Sequence, residues 1–558
     1  MQHRAGSTAP APSLPEQGPK SPARAGHAMV ATAHPAVTAA ALAVLRSGGN
    51  AIDAMATAIP LQQVLEPQLS TIAGGFALLY WDAARGEPVY LNAHPDHPRG
   101  MTLPRSDGVD TSGARIAVPG TVMGLQAAAE RFGTRPWASY FAPAIAAARD
   151  GFPMYSTLYG AMTATFERLA HFPAGRERYL PDGYLVPVGR PFRQPRLAVA
   201  LERIAQPDGV GWFQRGAFAE RFAAAVRESG GAMTVADMRD YEPRWVAPVR
   251  FSYRGHAFVG SPPPDSGGLA CGFALGVLER TSLSRLGRWE TSPRALALIA
   301  RVLAQAGEFS ARYNADPLTF AVRLAALLAP EFLASTARQI EGSFPLVDLT
   351  PPTAAPASAP HRSAAGGSED APQAGSDQLV IVDEQGNWVS ALHTGYAADF
   401  GTGLVVDGIG VNAANVFPGV ATGAGRRICT PTAAVLGLRE GRPWLGLGTT
   451  GYPPPYVTLA LLNLLEYGMS LPEAVDAPRF LLAPHPSDPQ LPWNIGQLAV
   501  ETRIPDATVA GLAALGLATA PLGEYGHTGA MHAVMDDAEA GQLLGVADPR
   551  GTGYAAGY

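Results

Sequence analysis

Leu379, Val380, Ile381 and Val382 form an unbroken apolar run, Asp383-Glu384-Gln385-Gly386-Asn387 is a polar turn cluster, and Trp388 to Leu392 opens a second run. Apolar, largely β-branched and aromatic residues on either side of a Gly/Asn turn predict a hairpin of buried strands. Immediately upstream the pattern disappears. From about Pro345 to Gly375 the chain is Pro, Ala, Ser and Gly without an apolar period, and such a segment cannot bury a core. Ser376 stands where slack ends and order begins.

The same pattern organises the rest of the chain. Met29 to Pro35 reads as a short strand and turn, followed by an alanine-rich helix to Arg46 that Ser47-Gly48-Gly49-Asn50 stops. A second helix opens at Asn50 to Ala54, with Asp53 near its positive end, and runs to about Val64 before Glu66-Pro67 breaks it. Gly74-Gly75 leads into a strand from Ala77 to Trp81, where paired glycines imply close backbone packing or a ligand loop. Val89 to Asn92 is a further strand, and helices are predicted from about Thr121 to Arg131, from Leu269 to Leu278 and through most of Ala295 to Ile340. Trp444 to Leu447 is a strand that passes through Gly448-Thr449-Thr450-Gly451-Tyr452 into a helix reaching about Leu465. A strand, a glycine turn and a helix N-terminus together aim backbone N–H groups at a developing oxyanion.

Composition narrows the class. An apolar fraction of 47% with 16% charged residues describes a globular chain with a large core. A formal net charge of −6 argues against a nucleic-acid or anionic-membrane surface. No apolar run reaches the ~18 residues of a membrane span. Residues 1–26 lack the apolar segment of a secretory signal, so a disordered leader and a cytoplasmic setting are expected. Two cysteines, Cys271 and Cys429, are too few for a disulfide framework and lack metal-ligand spacing; they read as buried small hydrophobes, with a single disulfide as the alternative. Ser266 lacks the flanking glycine of a hydrolase elbow, and no Walker loop, dinucleotide fingerprint or His-Glu-x-x-His run occurs. No cofactor or metal is expected.

Two places carry candidate chemistry. If the chain were cut between Gly375 and Ser376, a serine with a free α-amine would begin the first strand of a sheet. Its hydroxyl attacks while the amine, with a pKa near ~8, takes the proton. The strand end Ala93-His94-Pro95-Asp96-His97-Pro98-Arg99 is dense in groups that suit a binding site. His94 there reads as substrate-facing or as part of a solvated loop, since a metal would need ligands that the segment does not supply.

Read together, Gly48-Gly49-Asn50-Ala51-Ile52-Asp53-Ala54, Val118-Pro119-Gly120, Pro262 to Gly268, Val382-Asp383 with Gly386-Asn387, Phe400-Gly401-Thr402-Gly403, Ala474 to Phe480 and Asp548-Pro549-Arg550 resemble the γ-glutamyltranspeptidase family of N-terminal-nucleophile hydrolases, from Met29 to Tyr558. The resemblance implies a four-layer αββα sandwich made as a precursor that cuts itself. Residues 1–28 would be a leader, 29–344 the large-subunit part, 345–375 the linker and 376–558 the small-subunit part. It places the nucleophile on Ser376, where the family has threonine, its hydrogen-bonding partner on Thr394, and the oxyanion pair on Gly451 and Tyr452. Gly375 and Ser376 become the processing site.

The pocket implied by the resemblance departs further. The position of the arginine that holds a glutamyl carboxylate reads His94, with Arg99 out of register. No carboxylate lies near Asn412 to Val416, where the α-amine would be held, and the family's serine pair reads Arg427-Ile428. His94, Tyr396, Asn415 and Arg427 are the substrate-binding candidates. A lost charge-assisted contact costs roughly 1.5–3 kcal/mol, so a standard γ-glutamyl group would bind weakly. Three readings remain. The first is a self-processing hydrolase or acyltransferase acting on another small amide or carbonyl compound, with C–C or amide hydrolysis in specialised metabolism included. The second is a γ-glutamyl hydrolase or transpeptidase for glutathione-type substrates, using an unusual clamp such as Arg99 or Arg427. The third is an inactive scaffold. The partners implied are a small-molecule substrate and the two cleaved subunits for each other, with no nucleic acid and no membrane.

Overall fold

The computed structural model describes residues 16–101, 113–342, 374–411, 423–483, 494–527 and 529–558. The linker up to residue 373 and Asn415 lie outside them. Two seven-stranded sheets form the centre. One runs, in spatial order, Ala23–Ala25, Gln542–Ala547, Met531–Asp537, Arg442–Thr449, Val435–Arg439, His256–Gly260 and Val249–Tyr253. The other runs Tyr554–Gly557, Met29–Thr32, Ala374–Val382, Trp388–Ala398, Gly75–Asp82, Glu87–Ala93 and Arg244–Val246. Neighbours in both sheets pair antiparallel.

Strand alternation builds the layers. Leu379 and Ile381 pack outward among helical residues such as Ile52 and Ile59, whereas Val380 and Val382 point inward against Val259, Leu436 and Val534 of the facing sheet. Phe76, Leu78 and Tyr80 alternate in the same way with Ala77, Leu79 and Trp81. Successive side chains point to opposite faces, so a run that is apolar at every position must be covered on both. The outer faces are covered by Pro35–Arg46 and Ala51–Leu65 on one sheet, and by Gly267–Leu278, Pro293–Tyr313 and Pro453–Leu465 on the other. The result is a four-layer αββα sandwich.

The predicted hairpin is present, with Val382 opposite Trp388. Asp383 in its turn accepts from the backbone N–H groups of Gln385 and Asn387, and from that of Ala51 at 2.8 Å. It thereby ties the hairpin to the start of the helix Ala51–Leu65, whose N-terminus is closed by a reciprocal Asn50–Asp53 cap. One expectation needs correction. A leader ending at residue 28 is too long, because Ala23–Ala25 already pairs with the strand Gln542–Ala547 and Gly18 N–H donates to Pro549. Three edge residues are too few to show a period in an Ala/Pro-rich stretch. Both cysteines are buried free thiols.

Candidate active site

Hairpin register decides what Ser376 faces. Counting back from the turn pairs Ser376 with Thr394 across the two strands, with an irregularity between Ala374 and Ser376. The Ser376 hydroxyl donates to Thr394 Oγ1 at 2.9 Å. On its far side Thr394 is paired with Gly75, which puts the second glycine of the pair at the same level of the sheet. Gly375 continues the strand Ala374–Val382 directly into Ser376.

Ser376 opens into a cavity of about 200 Å³, lined also by Glu66, Gln68, Thr157, Thr450, Tyr525, His527, Ala530, Arg550 and Thr552. A larger, open depression of about 690 Å³ lies around the hairpin turn and Glu440-Gly441. The strand from Ser376 to Asp383 separates the two by about 20 Å, so the site belongs at the Ser376 end.

The facing sheet supplies the second wall. Thr450 is clamped to Ala530: its N–H donates to the Ala530 carbonyl at 3.1 Å, and its hydroxyl accepts from Ala530 N–H at 2.9 Å. Gly451 follows at φ +77°, and a Cβ there would lie 3.0 Å from Gly529 Cα, so both the conformation and the packing require glycine. Arg479 holds the Gly529 carbonyl and pairs with Asp548. The helix that begins here carries Pro453, Pro454 and Pro455 in its first turn. Prolines have no N–H, so these three positions offer no donor at this helix end.

Beneath Ser376 lies a buried acid pair. Asp377 accepts from the Ser70 hydroxyl and from Gln62 Nε2 at 3.2 Å, and Gln62 also donates to Glu66 at 2.8 Å. Burial and mutual repulsion raise Asp377 well above the carboxylate range, and burial raises Glu66 to about 7. Two carboxyls that close share a proton. His393 sits beside Asp377 with its Nδ1 at 3.8 Å, and burial lowers its pKa to about 3, which keeps it neutral.

The clamp candidates lie elsewhere. His94 is fully buried, its Nε2 3.1 Å from Asp265 Oδ1 and 3.3 Å from the hydroxyls of both Thr430 and Thr432. Tyr90 and Asn92 donate to the other Asp265 oxygen. Arg427 is equally buried, donating to Asp96 at 2.6 Å, to Asn92 and to the Glu242 carbonyl, with its guanidinium over the Tyr241 ring. Arg99 pairs with Asp240 at 2.9 Å. None of the three is among the residues lining the Ser376 cavity. Tyr396 occupies the strand Trp388–Ala398, two residues beyond Thr394.

In the sequence Glu66 reads as a helix break, and neither Gln68 nor His527 stands out. The available signals were weak: a carboxylate and an amide around a proline, and a histidine within glycine-flanked loop residues before a buried strand.

This geometry has relatives. The gamma-glutamyltranspeptidase family model matches residues 37–558, and the chain belongs to that family. It is 28% identical over 559 residues to the glutathione hydrolase proenzyme of Bacillus subtilis (strain 168), covering 95% of this chain and 91% of that protein. It is 30% identical over 525 residues to the acylase ACY 1 proenzyme of Pseudomonas sp. (strain SE83), covering 89% and 88%. The crystal structure of cephalosporin acylase from Bacillus halodurans superposes with a TM-score of 0.80 at 24% identity, covering 100% of this chain and 99% of that one. The fold is therefore that of the N-terminal-nucleophile hydrolases, and the chain is a γ-glutamyltranspeptidase-family hydrolase or acyltransferase. No helix among the described residues is long and apolar enough to cross a membrane.

Proposed function

We propose that Ser376 is the N-terminal nucleophile of a self-processing hydrolase or acyltransferase whose acyl donor is a small amide or carbonyl compound other than a standard γ-glutamyl one. The observation that carries this reading is the 2.9 Å hydroxyl pair of Ser376 and Thr394, with Ser376 in the lining of the cavity. In processing, Ser376 Oγ attacks the Gly375 carbonyl and the C–N bond breaks, which moves the acyl group to oxygen as an ester and frees the Ser376 amine; water then hydrolyses the ester, releasing the Gly375 carboxylate and restoring the Ser376 hydroxyl. In turnover, the same oxygen attacks the substrate carbonyl and the amine accepts its proton. The proton passes to the leaving group, and water or an acceptor then releases the acyl group. Thr394 orients the hydroxyl, and the Gly451 and Tyr452 N–H groups receive the oxyanion.

The identity of the acyl group rests on the clamp. Arg427 has its donors committed to Asp96, Asn92 and Glu242, and Arg99 is paired at the surface, so neither supports the glutamyl alternative. Similarity to an acylase as well as to a glutathione hydrolase is in keeping with a different acyl group. A cytoplasmic setting agrees with two unpaired thiols. Intact mass and a denaturing gel of wild type beside Ser376→Ala test the proposal. Two fragments meeting at Ser376 in wild type and one chain in the variant are expected; an uncut wild type would overturn it and favour a scaffold.

A further inference from the structure

One wall of the Ser376 cavity comes from a part of the chain far from the rest of the site. Gln17 lines it beside Arg550, Gly551 and Thr552, and it lies outside residues 37–558, which the family model matches. Glu16-Gln17-Gly18 carries no apolar side chain, so packing does not fix its place. Bonds to a neighbouring segment do.

Ala23–Ala25 pairs antiparallel with the strand Gln542–Ala547, Ala25 opposite Leu543 and Ala23 opposite Gly545. Arg24 adds an ion pair to Asp537 at 2.9 Å. Towards the N-terminus the same course continues. Gly18 N–H donates to the Pro549 carbonyl at 2.8 Å, and Gln17 Nε2 donates to the Arg550 carbonyl at 3.1 Å. Gly18 takes φ +120°, a bend that glycine adopts without strain. Arg550 is itself held by Glu501 and Asp548, which fixes the carbonyl that Gln17 meets. The segment follows the strand to its end and arrives at the cavity on a specified path.

Exposure and volume indicate what this wall does. Gln17 is exposed and Ser376 is half-buried, so Gln17 stands on the outer side of the space that both line. The cavity, about 200 Å³, is smaller than the ~300–1,000 Å³ of sites that enclose a drug-sized ligand. In an acyl-enzyme the acyl group is bonded to Ser376 Oγ, and it has to fit the space that Ser376 lines.

We propose that Gln17 sets the size of the acyl group the site accepts and restricts it to small ones. This rests on the assignment of Ser376 as nucleophile. The side chain, tethered through its amide to the Arg550 carbonyl, fills room that a bulkier acyl group would need. Cutting it back to Cβ lifts the limit and leaves Ser376, Thr394 and the Gly451 turn as they are.

Two sulfonyl fluorides of different bulk test this on the processed protein: methanesulfonyl fluoride and phenylmethanesulfonyl fluoride. Ser376 Oγ attacks sulfur, fluoride leaves with the bonding pair, and the α-amine takes the hydroxyl proton. Intact mass of the fragment that begins at Ser376 follows the sulfonate ester. Gln17→Ala should speed labelling by the larger reagent at least about tenfold, with the smaller reagent's rate within about twofold of wild type, the scale on which a pocket discriminates by size. A chain begun at Ser21 should show the same selective gain. An unchanged ratio, or both rates moving together, would overturn the proposal, since a merely supporting wall would alter the nucleophile and not its reach. An uncut chain, or a cut one that neither reagent labels at Ser376, faults the nucleophile assignment and this inference with it.

Discussion

Two regions at one end of the same sheet, one at Ser376 and the other at His94 just past the strand Glu87–Ala93, have gone separate ways. At Ser376 the chain keeps a hydroxyl pair, a glycine turn with little freedom to change, and a cavity of about 200 Å³. Around His94 and Arg427 the two clamp candidates are held by polar neighbours, His94 by Asp265 and two threonines and Arg427 by Asp96, Asn92 and Glu242, while the buried His97 ring close by has no partner among the described residues. The first region is built to meet something from outside. The second, so far as described, is built as an interior. On the proposed reading, a family scaffold keeps its reaction centre while the place where the resemblance puts a charged clamp is taken up by structural bonding.

The sharpest way to break this contrast is at the nucleophile. Ser376→Ala should abolish processing and lower turnover at least about 10⁴-fold, since no other group replaces the attacking oxygen; denaturing gels and initial rates check it. Next comes Arg427→Met, which leaves Asp96 without its buried partner. It should destabilise the fold by about 3–5 kcal/mol by denaturant titration, while activity per folded molecule changes little. A specific loss of activity with stability intact would move Arg427 into the reaction centre. Thr394→Val keeps the shape and removes the hydroxyl, and should lower kcat roughly ten- to hundredfold with KM nearly unchanged.

The smallest effect is electrostatic. Glu66 in the folded protein holds its proton up to about pH 7, whereas an unfolded chain releases it near 4.5. The native state binds more protons in that window, so stability falls as pH rises through it. Glu66→Gln should flatten this slope without removing it, because Asp377 is shifted in the same direction. Melting temperatures at about pH 5 and about pH 8 measure the difference.

How much could be read beforehand follows from how each feature is encoded. The hairpin was legible because apolar runs and a Gly/Asn turn are local, and the turn carries Asp383, which fixes the register by bonding its own neighbours and Ala51. From that register the pairing of Ser376 with Thr394 follows by counting. The Glu66–Asp377 pair and the convergence of Gln68 with His527 were not legible, because packing between distant segments creates them and no local period records it. Ala23–Ala25 was missed for a different reason: it takes its order from the strand it pairs with, not from its own sequence.

The order of strands in the sheet that carries Ser376 has a further consequence. Met29–Thr32 and Gly75–Asp82, from well before Ser376, flank the strands Ala374–Val382 and Trp388–Ala398, with Tyr554–Gly557 outside the first of these. A chain cut ahead of Ser376 would consist of two threads woven into one fabric. Parting them requires tearing the sheet, so dilution alone would not do it. Once torn, neither thread holds the whole pattern, and reassembly would need the two to find each other in solution. Durability would then be a matter of how slowly the weave comes undone, which makes a half-life the informative measure of this protein's persistence.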